Sequence, residues 1–359
     1  MSKKQSVAIL FGGKSVEHQV SINSAKNVYE YIDKEKYEPV LIGISPQGKW
    51  FQKTEIDDNF ELKDELHLIL RADQGGFYNQ HTRQSIIPDL VFPVLHGTDG
   101  EDGSIQGMLR VINKPFVGTG VLGSAISMSK LYSKRLLQSA GIPVSKFLSF
   151  EYHEKDKINY AHISGALGIP FMAKAANLGS SVGIHKVKSE TDFATAVADI
   201  FNFDSTVIFE QFIKGRELEC SVMGNETPQA SLPGEIAVSP DYEFYTYKAK
   251  YLDPQAAKLV IPAEVDTQVS EKIRELSIRS YLTLKCEDFA RVDLFLTDAG
   301  EIMINEINTI PGFTNSSMFP MMWKERGISF TELITRLIEM AEKRYARSQQ
   351  ISSQFSVEK

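Results

Sequence analysis

Four polar residues toward the carboxyl end of the chain have the types and the spacing of a site that holds a metal ion and phosphate. Arg291 lies two residues before Asp293, and Glu306 lies two residues before Asn308. Because side chains alternate between the two faces of a β-strand, each pair shares one face if both stretches are strands. If those faces coincide, three hard oxygen ligands converge beside one guanidinium. Mg²⁺ prefers such ligands and fills its remaining positions with water and substrate phosphates.

The stretches that carry these residues predict a β-hairpin. Two apolar runs, Phe289–Leu296 and Glu301–Thr314, are joined by Thr297–Gly300, which has the composition of a four-residue hairpin loop. The other interpretation is that the polar residues form the solvated face of an antiparallel pair, which is common in half-exposed sheets. The sharp turn Asn308–Gly312 follows directly. A strand that carries an acid and an amide and then enters a polar turn favours a binding site over an ordinary solvated sheet face.

Composition predicts a soluble globular protein. The 359 residues suggest two or three domains, and the 42% of hydrophobic residues suffice for packed cores. A net charge of −7 gives no reason to expect nucleic acid or an anionic membrane as a partner, and no apolar run has the length of a membrane span. The two cysteines, Cys220 and Cys286, lack metal-ligand spacing and are expected to be buried thiols. We therefore expect a cytoplasmic location.

The beginning of the chain predicts a doubly wound α/β unit. The apolar run Val7–Phe11 is typical of a strand buried on both faces, and a Gly-Gly turn and a helical pattern follow it. Such units bind ligands at the carboxyl ends of their strands, where Glu17 and Ser21 lie near the start of the helix. Glu17 could equally do no more than favour the helix dipole. The spacing G-x-G-x-x-G is absent, which argues against a dehydrogenase.

Two further segments have the composition of binding loops. The acidic, glycine-rich loop His96–Gly103 follows a predicted strand at 89–95, and it is either a binding loop or a solvated turn. The segment Asn177–Ile184 follows Lys174 and contains Gly179, Ser180, Ser181 and Gly183, which could surround phosphates with N–H groups and hydroxyls. An ordinary hairpin loop explains the second segment as well. Residues 45–87 give no clear assignment.

A strand that ends at Glu210, followed by a short linker and a strand that begins near Glu217, predicts a hinge. Backbone groups of such a linker can bind an adenine edge, and Glu217 could bind a ribose hydroxyl. Both carboxylates could also be ordinary surface residues. The aromatic and basic segment 243–258 predicts a lid, with a tyrosine-rich packing segment as the other interpretation.

The sequence predicts six helices in addition to the first one. They are Ser104–Ile112, Ser124–Ala140, Ile158–Leu167, Glu190–Phe201, Val265–Leu284 and Ser329–Ala346. The second of them carries Lys130 and Lys134 one turn apart, and residues 347–359 are expected to fray.

Taken together, these stretches resemble the D-alanine–D-alanine ligases of the ATP-grasp superfamily. Each motif is weak alone, but the set is specific because it follows the family order over about residues 5–345. The motifs are Phe11–Ser21, Leu95–Gly103, Lys174 with Gly179–Gly183, Tyr247–Tyr251, Arg291–Asp293 and Asn305–Gly312. Ser129, Ala175 and Lys248 differ from the residues common in the family, which bears on substrate affinity more than on the reaction.

The resemblance implies the fold, the activity and the partners. The fold would be α/β, with a doubly wound N-terminal domain at residues 1–125, two α+β lobes of an ATP-grasp fold at 126–221 and 222–346, and a polar tail at 347–359. The activity would be the ATP-dependent ligation of two D-alanine molecules through an acyl phosphate, for peptidoglycan precursors. A homodimer formed through the N-terminal domain is also implied.

The resemblance further assigns roles to individual residues. Two Mg²⁺ ions, which Mn²⁺ could replace, would be held by Asp293, Glu306 and Asn308. The nucleotide would be bound by Lys130, Lys174, Gly179, Ser180, Ser181, Glu210, Gln211, Phe212, Ile213, Glu217 and Lys250. The catalytic set would comprise Glu17, Ser180, Tyr251, Arg291, Gly312 and Ser317.

Within that catalytic set, Glu17 would bind the ammonium of the first D-alanine and would form a hydrogen-bonded triad with Ser180 and Tyr251. Arg291 and the backbone at Gly312 would stabilise an oxyanion. Ser317, together with Met318, would hold the second D-alanine.

Two other functions are compatible with parts of the pattern. A D-alanine–D-lactate ligase would share most motifs, but the stretch Tyr247–Tyr251 favours the dipeptide enzyme. A non-catalytic binding protein on a relic fold should have lost metal ligands or the oxyanion arginine. This sequence keeps both, which favours an enzyme.

Overall fold

Three β-sheets, each packed against helices, form the framework of the computed structural model. The structure describes residues 4–71, 75–179, 183–239 and 257–351. No helix in these four ranges is long and apolar enough to cross a lipid bilayer.

The first sheet occupies the N-terminal part of the chain. Its strands are β1 (Gln5–Gly12), β2 (Tyr37–Ile44), β3 (Trp50–Lys53), β4 (Glu65–Ile69), β5 (Gly76–Asn79), β6 (Gln84–Ile86) and β7 (Leu90–Pro93). They lie in the order β6-β5-β4-β3-β2-β1-β7. β1 pairs in parallel with β2 and β7, as its apolar run predicted, whereas β3 to β6 pair antiparallel. The segment that the sequence left unassigned therefore extends a parallel core with an antiparallel ribbon. The helices are α1 (His18–Tyr31) and α2 (Ser104–Val111).

The second sheet has four strands and is covered by two helices. Its strands are β8 (Phe147–Glu151), β9 (Phe171–Ala175), β10 (Ile184–Val187) and β11 (Thr206–Gln211), in the order β10-β9-β11-β8. The helices α3 (Val121–Met128) and α4 (Lys130–Ser139) contact the third sheet, whereas α5 (Tyr160–Leu167) and α6 (Glu190–Ile200) pack on this one. Every pairing in this sheet is antiparallel.

One helix prediction in this region is wrong. The sequence predicts a single helix over Ser124–Ala140, but the structure has two helices separated by Ser129, whose ψ of 106° is extended. The break turns the backbone of Lys130 so that its N–H donates to Ala176 O at 2.8 Å. Lys130 thereby becomes the first residue of α4, directly beside the end of β9.

The third sheet contains the predicted hairpin. Its strands are β12 (Gly215–Met223), β13 (Gln229–Ala230), β14 (Gly234–Val238), β15 (Ala257–Val260), β16 (Phe289–Thr297) and β17 (Ile302–Asn308). Five of them lie in the order β15-β14-β12-β16-β17, and β13 also pairs with β12. The helices are α7 (Thr267–Thr283), α8 (Met318–Glu325) and α9 (Phe330–Gln349). The sequence analysis missed α8.

The C-terminal helix is longer than predicted. α9 continues to Gln349, and the Gln349 side chain donates from Nε2 to Asn113 Oδ1 at 3.1 Å. Residues 347–349 are therefore helical, whereas the sequence predicted that fraying begins at residue 347. The predicted domain limits stay a prediction. Two of them, residues 125 and 221, lie within α3 and β12, so a domain boundary at either position would divide a helix or a strand.

The two faces of the first sheet are buried against different parts of the chain. Val7, Ile9 and Phe11 share one face, which belongs to a core built also by α1 and by α9 residues such as Leu337 and Ile338. The alternate residues of β1 belong to a second core with α2. The two ends of the sequence thus meet in one core. Both cysteines are buried and unbridged, as expected.

Candidate functional site

Two adjoining cavities lie over one face of the third sheet. The acidic cavity, of about 350 Å³, is lined by Glu17, Glu101, Arg291 and the turn 309–312, among others. The hinge cavity, of about 330 Å³, is lined by residues of the second and third sheets, including residues 210–215. Among the described residues, four line both cavities, and they are Lys130, Glu219, Ile236 and Glu306. A ligand that extends through both cavities therefore passes these residues.

The hairpin register brings the predicted metal ligands to one face of the sheet. Asp293 lies opposite Glu306, and Arg291 lies opposite Asn308, so the two predicted faces coincide. On the other side of β16, Asp293 lies opposite Glu219. Three carboxylates therefore form a row across β12, β16 and β17. Because side chains directly opposite each other in neighbouring strands are close, this row concentrates negative charge.

Arg291 compensates the charge of this row. Its guanidinium donates from Nε and Nη2 to the two oxygens of Asp293, at 2.7 and 2.8 Å, and Nε lies 2.9 Å from Glu219 Oε2. Burial alone would lower the pKa of Arg291, but the carboxylates of Asp293 and Glu219 raise it well above its ordinary value. Arg291 is therefore a fixed positive charge at the edge of the acidic cavity.

The chemistry of the predicted ligands fits a hard cation. The described ranges contain no cluster of three or more His, Cys, Asp or Glu side chains arranged to hold a metal. The predicted set has two carboxylates and the amide of Asn308, which donates from Nδ2 to Asp293 Oδ2 at 2.9 Å. Glu306 lies 3.7 Å from Lys130 Nζ. Both oxygens of Asp293 accept hydrogen bonds from Arg291, but a carboxylate has about four lone-pair sites, so Asp293 can still coordinate a cation.

Glu17 lies at the start of α1 and faces the loop His96–Gly103. The loop approaches so closely that a Cβ on Gly97 would lie 2.7 Å from Glu17 Oε2, and Gly97 has a φ of +76°, which favours glycine. Glu101 in the same loop accepts from Gly97 N at 3.0 Å. Burial, and then the charge of Glu17, raise the pKa of Glu101 well above its ordinary value. The loop is therefore part of the cavity wall.

The turn after β17 contributes the third wall of the acidic cavity. Gly312 and Ser317 are so close that a Cβ on Gly312 would lie 2.8 Å from Ser317 Oγ. Ser317 precedes α8, and its Oγ accepts from Thr314 N at 3.0 Å. Met318, the first residue of α8, also lines this cavity. The residues predicted for the oxyanion and for the second amino acid are thus neighbours.

A buried group of charges lies beside the hinge cavity. Glu210 Oε2 lies 3.2 Å from Lys134 Nζ and 3.3 Å from Lys174 Nζ, and it accepts from Ser145 Oγ at 3.0 Å. Burial would raise the pKa of Glu210, but the two ammonium groups outweigh it and hold the pKa at about 2. Lys134 also donates to Asn305 O at 3.3 Å, at the bulge where the β16–β17 register shifts. The group therefore links the second sheet to the strand that carries Glu306.

The other predicted nucleotide residues divide into two groups. Gln211, Phe212, Ile213 and Glu217 line the hinge cavity, and Lys186 Nζ lies 4.2 Å from the centre of the Phe212 ring. Gly179 lines the acidic cavity. The remaining predicted site residues lie outside the described ranges, as does the predicted lid apart from its last two residues, which begin β15. Those site residues are Ser180, Ser181, Lys250 and Tyr251.

Sequence reasoning missed several residues that the structure brings into or beside the site. Glu219 lies two residues after Glu217, so the sequence already indicates that both side chains share one face of β12. Only the pairing of β12 with β16 shows that Glu219 lies opposite Asp293. Lys134 was recognised only as a helical neighbour of Lys130. His96 lines the acidic cavity, and Ser24 lies behind it. No local pattern distinguishes Ser24 from an ordinary buried serine of a helix.

Known proteins match the chain along nearly its whole length. The family model described as "D-ala D-ala ligase C-terminus" matches residues 136–339, and "D-ala D-ala ligase N-terminus" matches residues 6–119. The D-alanine–D-alanine ligase A of Escherichia coli K12 is 47% identical over 356 residues, which cover 96% of this chain and 97% of that one.

Solved structures give the same result. The D-alanine–D-alanine ligase from Coxiella burnetii matches with a TM-score of 0.86 and 33% identity over 97% of each chain. The VanG D-Ala:D-Ser ligase from Enterococcus faecalis matches with a TM-score of 0.85 and 35% identity, covering 94% of this chain and 100% of that one. The chain therefore belongs to the D-alanine–D-alanine ligase family, with the ATP-grasp fold.

Proposed function

We propose that the acidic and hinge cavities act as one site, in which ATP drives the ligation of two D-alanine molecules to D-alanyl-D-alanine for peptidoglycan precursors. The observation that carries this proposal is the set of lining residues common to both cavities, especially Lys130 and Glu306. A nucleotide in the hinge cavity can extend its phosphates past these two residues toward an amino acid held in the acidic cavity.

The residue types suit the chemistry of this ligation. The carboxylate of the first D-alanine is a poor acyl donor, because oxide is a poor leaving group. Transfer of the γ-phosphoryl group of ATP gives an acyl phosphate, and attack by the amine of the second D-alanine releases phosphate. Such a transfer requires positioning and charge neutralisation more than covalent participation by the protein. Lys130 and Lys174, at the cavity walls, supply positive charge for that purpose.

Mg²⁺ would supply further neutralisation of the phosphates, with Asp293, Glu306 and Asn308 as its protein ligands. What supports this assignment is the oxygen chemistry of the three side chains and their common face on the hairpin. A cation bound to Asp293 would draw charge from the carboxylate and weaken its hydrogen bonds from Arg291. The guanidinium would then be more available to the substrate.

Arg291 and the backbone N–H of Gly312 are proposed to stabilise the oxyanion of the tetrahedral intermediate. Both line the acidic cavity, where Glu17 is proposed to bind the ammonium of the first D-alanine. Ser317 and Met318 are proposed to bind the second D-alanine. The proximity of Gly312 to Ser317 supports placing the oxyanion site beside the second amino acid.

ADP release with D-alanine as the only amino acid, combined with mass analysis of the product, tests this proposal. We expect a D-alanyl-D-alanine product with D-alanine and none with L-alanine. Reactions that contain D-alanine with D-serine or D-lactate test the second substrate, since one similar structure is a D-Ala:D-Ser ligase. A mixed product formed in large excess over the dipeptide would overturn the proposed second substrate. ATP binding without any turnover would overturn the activity.

Three further properties follow from the resemblance and are proposed with it. They are a homodimer formed through the N-terminal domain, a cytoplasmic location, and the division into an N-terminal domain and two lobes. Light scattering coupled to size-exclusion chromatography tests the dimer directly, because a monomer of this chain has a mass of 40.2 kDa.

A further inference from the structure

His96 connects three segments that are far apart in the sequence. Its Nδ1 lies 2.9 Å from Ile310 O, and its Nε2 lies 2.9 Å from Ser24 Oγ. Ser24 Oγ is in turn 3.2 Å from Phe313 N. Ser24 lies on α1, His96 follows β7, and both other contacts belong to the turn after β17. The exposed fractions of His96 and Ser24 are 4% and 0%, so these bonds are shielded from water.

The hydrogen-bond partners determine the direction of each bond. A carbonyl oxygen only accepts, so Nδ1 of His96 must carry a proton and donate to Ile310 O. Burial lowers the pKa of His96, which favours the neutral ring, and Nε2 is then an acceptor for the hydroxyl of Ser24. The same hydroxyl oxygen accepts from Phe313 N–H. The result is a continuous chain of three bonds that begins at Phe313 N and ends at Ile310 O.

This chain of bonds encloses the turn that contains Gly312. It holds the carbonyl two residues before Gly312 and the amide one residue after it. The ring of Phe313 is fixed as well, because it packs edge-on against Phe92 and Phe289 at centroid distances of 6.0 and 5.7 Å. Hydrogen bonds hold Ile310 O on one side of Gly312 and Phe313 N on the other. The peptide plane between them that carries the Gly312 N–H therefore has little freedom to rotate.

We propose that His96 and Ser24 are positioning residues that hold the Ile310–Phe313 turn so that the Gly312 N–H points into the acidic cavity. This inference rests on the proposed function, in which that N–H is an oxyanion donor. A donor fixed before the reaction needs no reorganisation when the negative charge develops. Since a displacement of about 1 Å can cost about 10²-fold in rate, loosening the turn should lower turnover without touching the substrate.

Ser24→Ala and His96→Asn are the test variants. Ser24→Ala removes the acceptor for Phe313 N, and His96→Asn retains a donor that can reach Ile310 O but loses the bond to Ser24. We expect kcat to fall by about 10- to 100-fold in Ser24→Ala. His96→Asn should be less affected than His96→Ala. The KM for ATP should stay within about twofold in each variant, because the hinge cavity does not contain the turn.

Two control variants make the same chemical changes elsewhere. Ser277→Ala removes a buried helical hydroxyl, which donates to Ile273 O at 2.8 Å, and Ser277 lines neither cavity. His67→Asn changes a histidine of β4, in the antiparallel part of the first sheet and outside both cavities. Both controls should retain kcat. A merely structural role of Ser24 predicts that Ser24→Ala and Ser277→Ala lose the same stability and that both keep wild-type kcat, which would overturn the inference.

A second measurement separates this inference from the proposed function. In ¹⁵N-glycine-labelled protein without substrates, the Gly312 amide resonance should shift or broaden in Ser24→Ala and stay unchanged in Ser277→Ala. An unchanged Gly312 resonance in Ser24→Ala would overturn the positioning role even if the wild-type protein makes the dipeptide. Conversely, failure of the wild-type protein to make any ligation product would overturn the proposed function, whatever the resonance does.

Discussion

Lys134 Nζ lies 3.2 Å from Glu210 Oε2, although 99% of the lysine side chain and 97% of the glutamate side chain are buried. Lys174 binds the same oxygen, so one carboxylate is in contact with two cations. Glu210 can therefore be neutralised by Lys134 alone. This leaves the charge of Lys174, which lines the hinge cavity, for an anionic ligand. Lys134 does not line either cavity, so it acts only through these neighbours.

Lys134→Met should impair nucleotide binding and stability together. Glu210 would then pair with Lys174 alone, and we expect the KM for ATP to rise about tenfold, equivalent to about 1.4 kcal/mol. Removing one partner of a buried ion pair should also lower the free energy of unfolding by about 3 kcal/mol. Steady-state kinetics and urea denaturation measure the two effects.

The double variant Lys134→Met with Glu210→Gln sharpens this prediction. Because it removes both charges, it should recover much of the stability that Lys134→Met loses. Lys114→Met serves as a control, since Lys114 is half-buried, donates to Pro88 O and lies outside both cavities. Strictly additive losses in the double variant would show that the two residues are not coupled.

Arg291→Ala should abolish most of the turnover and leave the fold intact. Removing one oxyanion donor typically costs about 10²- to 10³-fold in rate, and we expect kcat to fall by that factor. Because Arg291 also pairs with Asp293 and Glu219, some stability should be lost, and circular dichroism must confirm the fold. Arg291→Lys retains the charge without the two parallel bonds and should be intermediate. A well-folded Arg291→Ala protein with a near-normal rate would remove Arg291 from the mechanism.

Glu306→Gln should weaken the dependence on Mg²⁺. The change keeps the shape of the side chain but replaces a charged ligand by a neutral one, so higher Mg²⁺ concentrations should be needed for half-maximal ADP release. Glu301→Gln, in the exposed loop of the same hairpin, is the matched control and should not change the titration. If the Glu306→Gln and wild-type titrations coincide, Glu306 is not a metal ligand.

Glu101→Gln should change how stability depends on pH. The pKa of Glu101 is raised in the folded protein, first by burial and then by the charge of Glu17, while Arg291 opposes the rise. A carboxyl group of this kind contributes its full stability below its unfolded pKa and loses it as the pH rises through the folded value. The glutamine variant has no proton to lose. The melting temperature of Glu101→Gln, relative to that of the wild type, should therefore be higher at pH 8.5 than at pH 5. If the difference between the two proteins is the same at both pH values, the pKa of Glu101 is not raised in the folded protein.

The sequence was sufficient for the local part of the site. Alternation along two strands and the composition of one loop predicted the hairpin, and the structure confirms that Asp293 lies opposite Glu306. Periodicity also predicted the helices that flank the sheets, apart from α8 and the break between α3 and α4. Such patterns are readable because neighbours in the sequence remain neighbours in a strand or a helix.

The remaining part of the site depends on contacts between distant segments. Glu219 joins the carboxylate row through the pairing of β12 with β16, and Ser24 reaches the turn at Phe313 from the opposite end of the chain. The break at Ser129 is a tertiary effect as well, because a hydrogen bond to Ala176 O fixes the backbone of Lys130. In each case the local sequence pattern is compatible with an ordinary helix or strand. Contacts with distant segments determine where these residues lie in the folded protein.

The shared core of the first sheet has a consequence for the growing chain on the ribosome. The face formed by Val7, Ile9 and Phe11 is synthesised long before part of its cover, which includes Leu337 and Ile338. While the intervening residues are made, this apolar face lacks its final layer, and exposed apolar surface of this kind promotes aggregation of partly folded chains. A nascent chain that stalls before α9 therefore keeps this apolar surface exposed, and the surface closes only after α9 has been made.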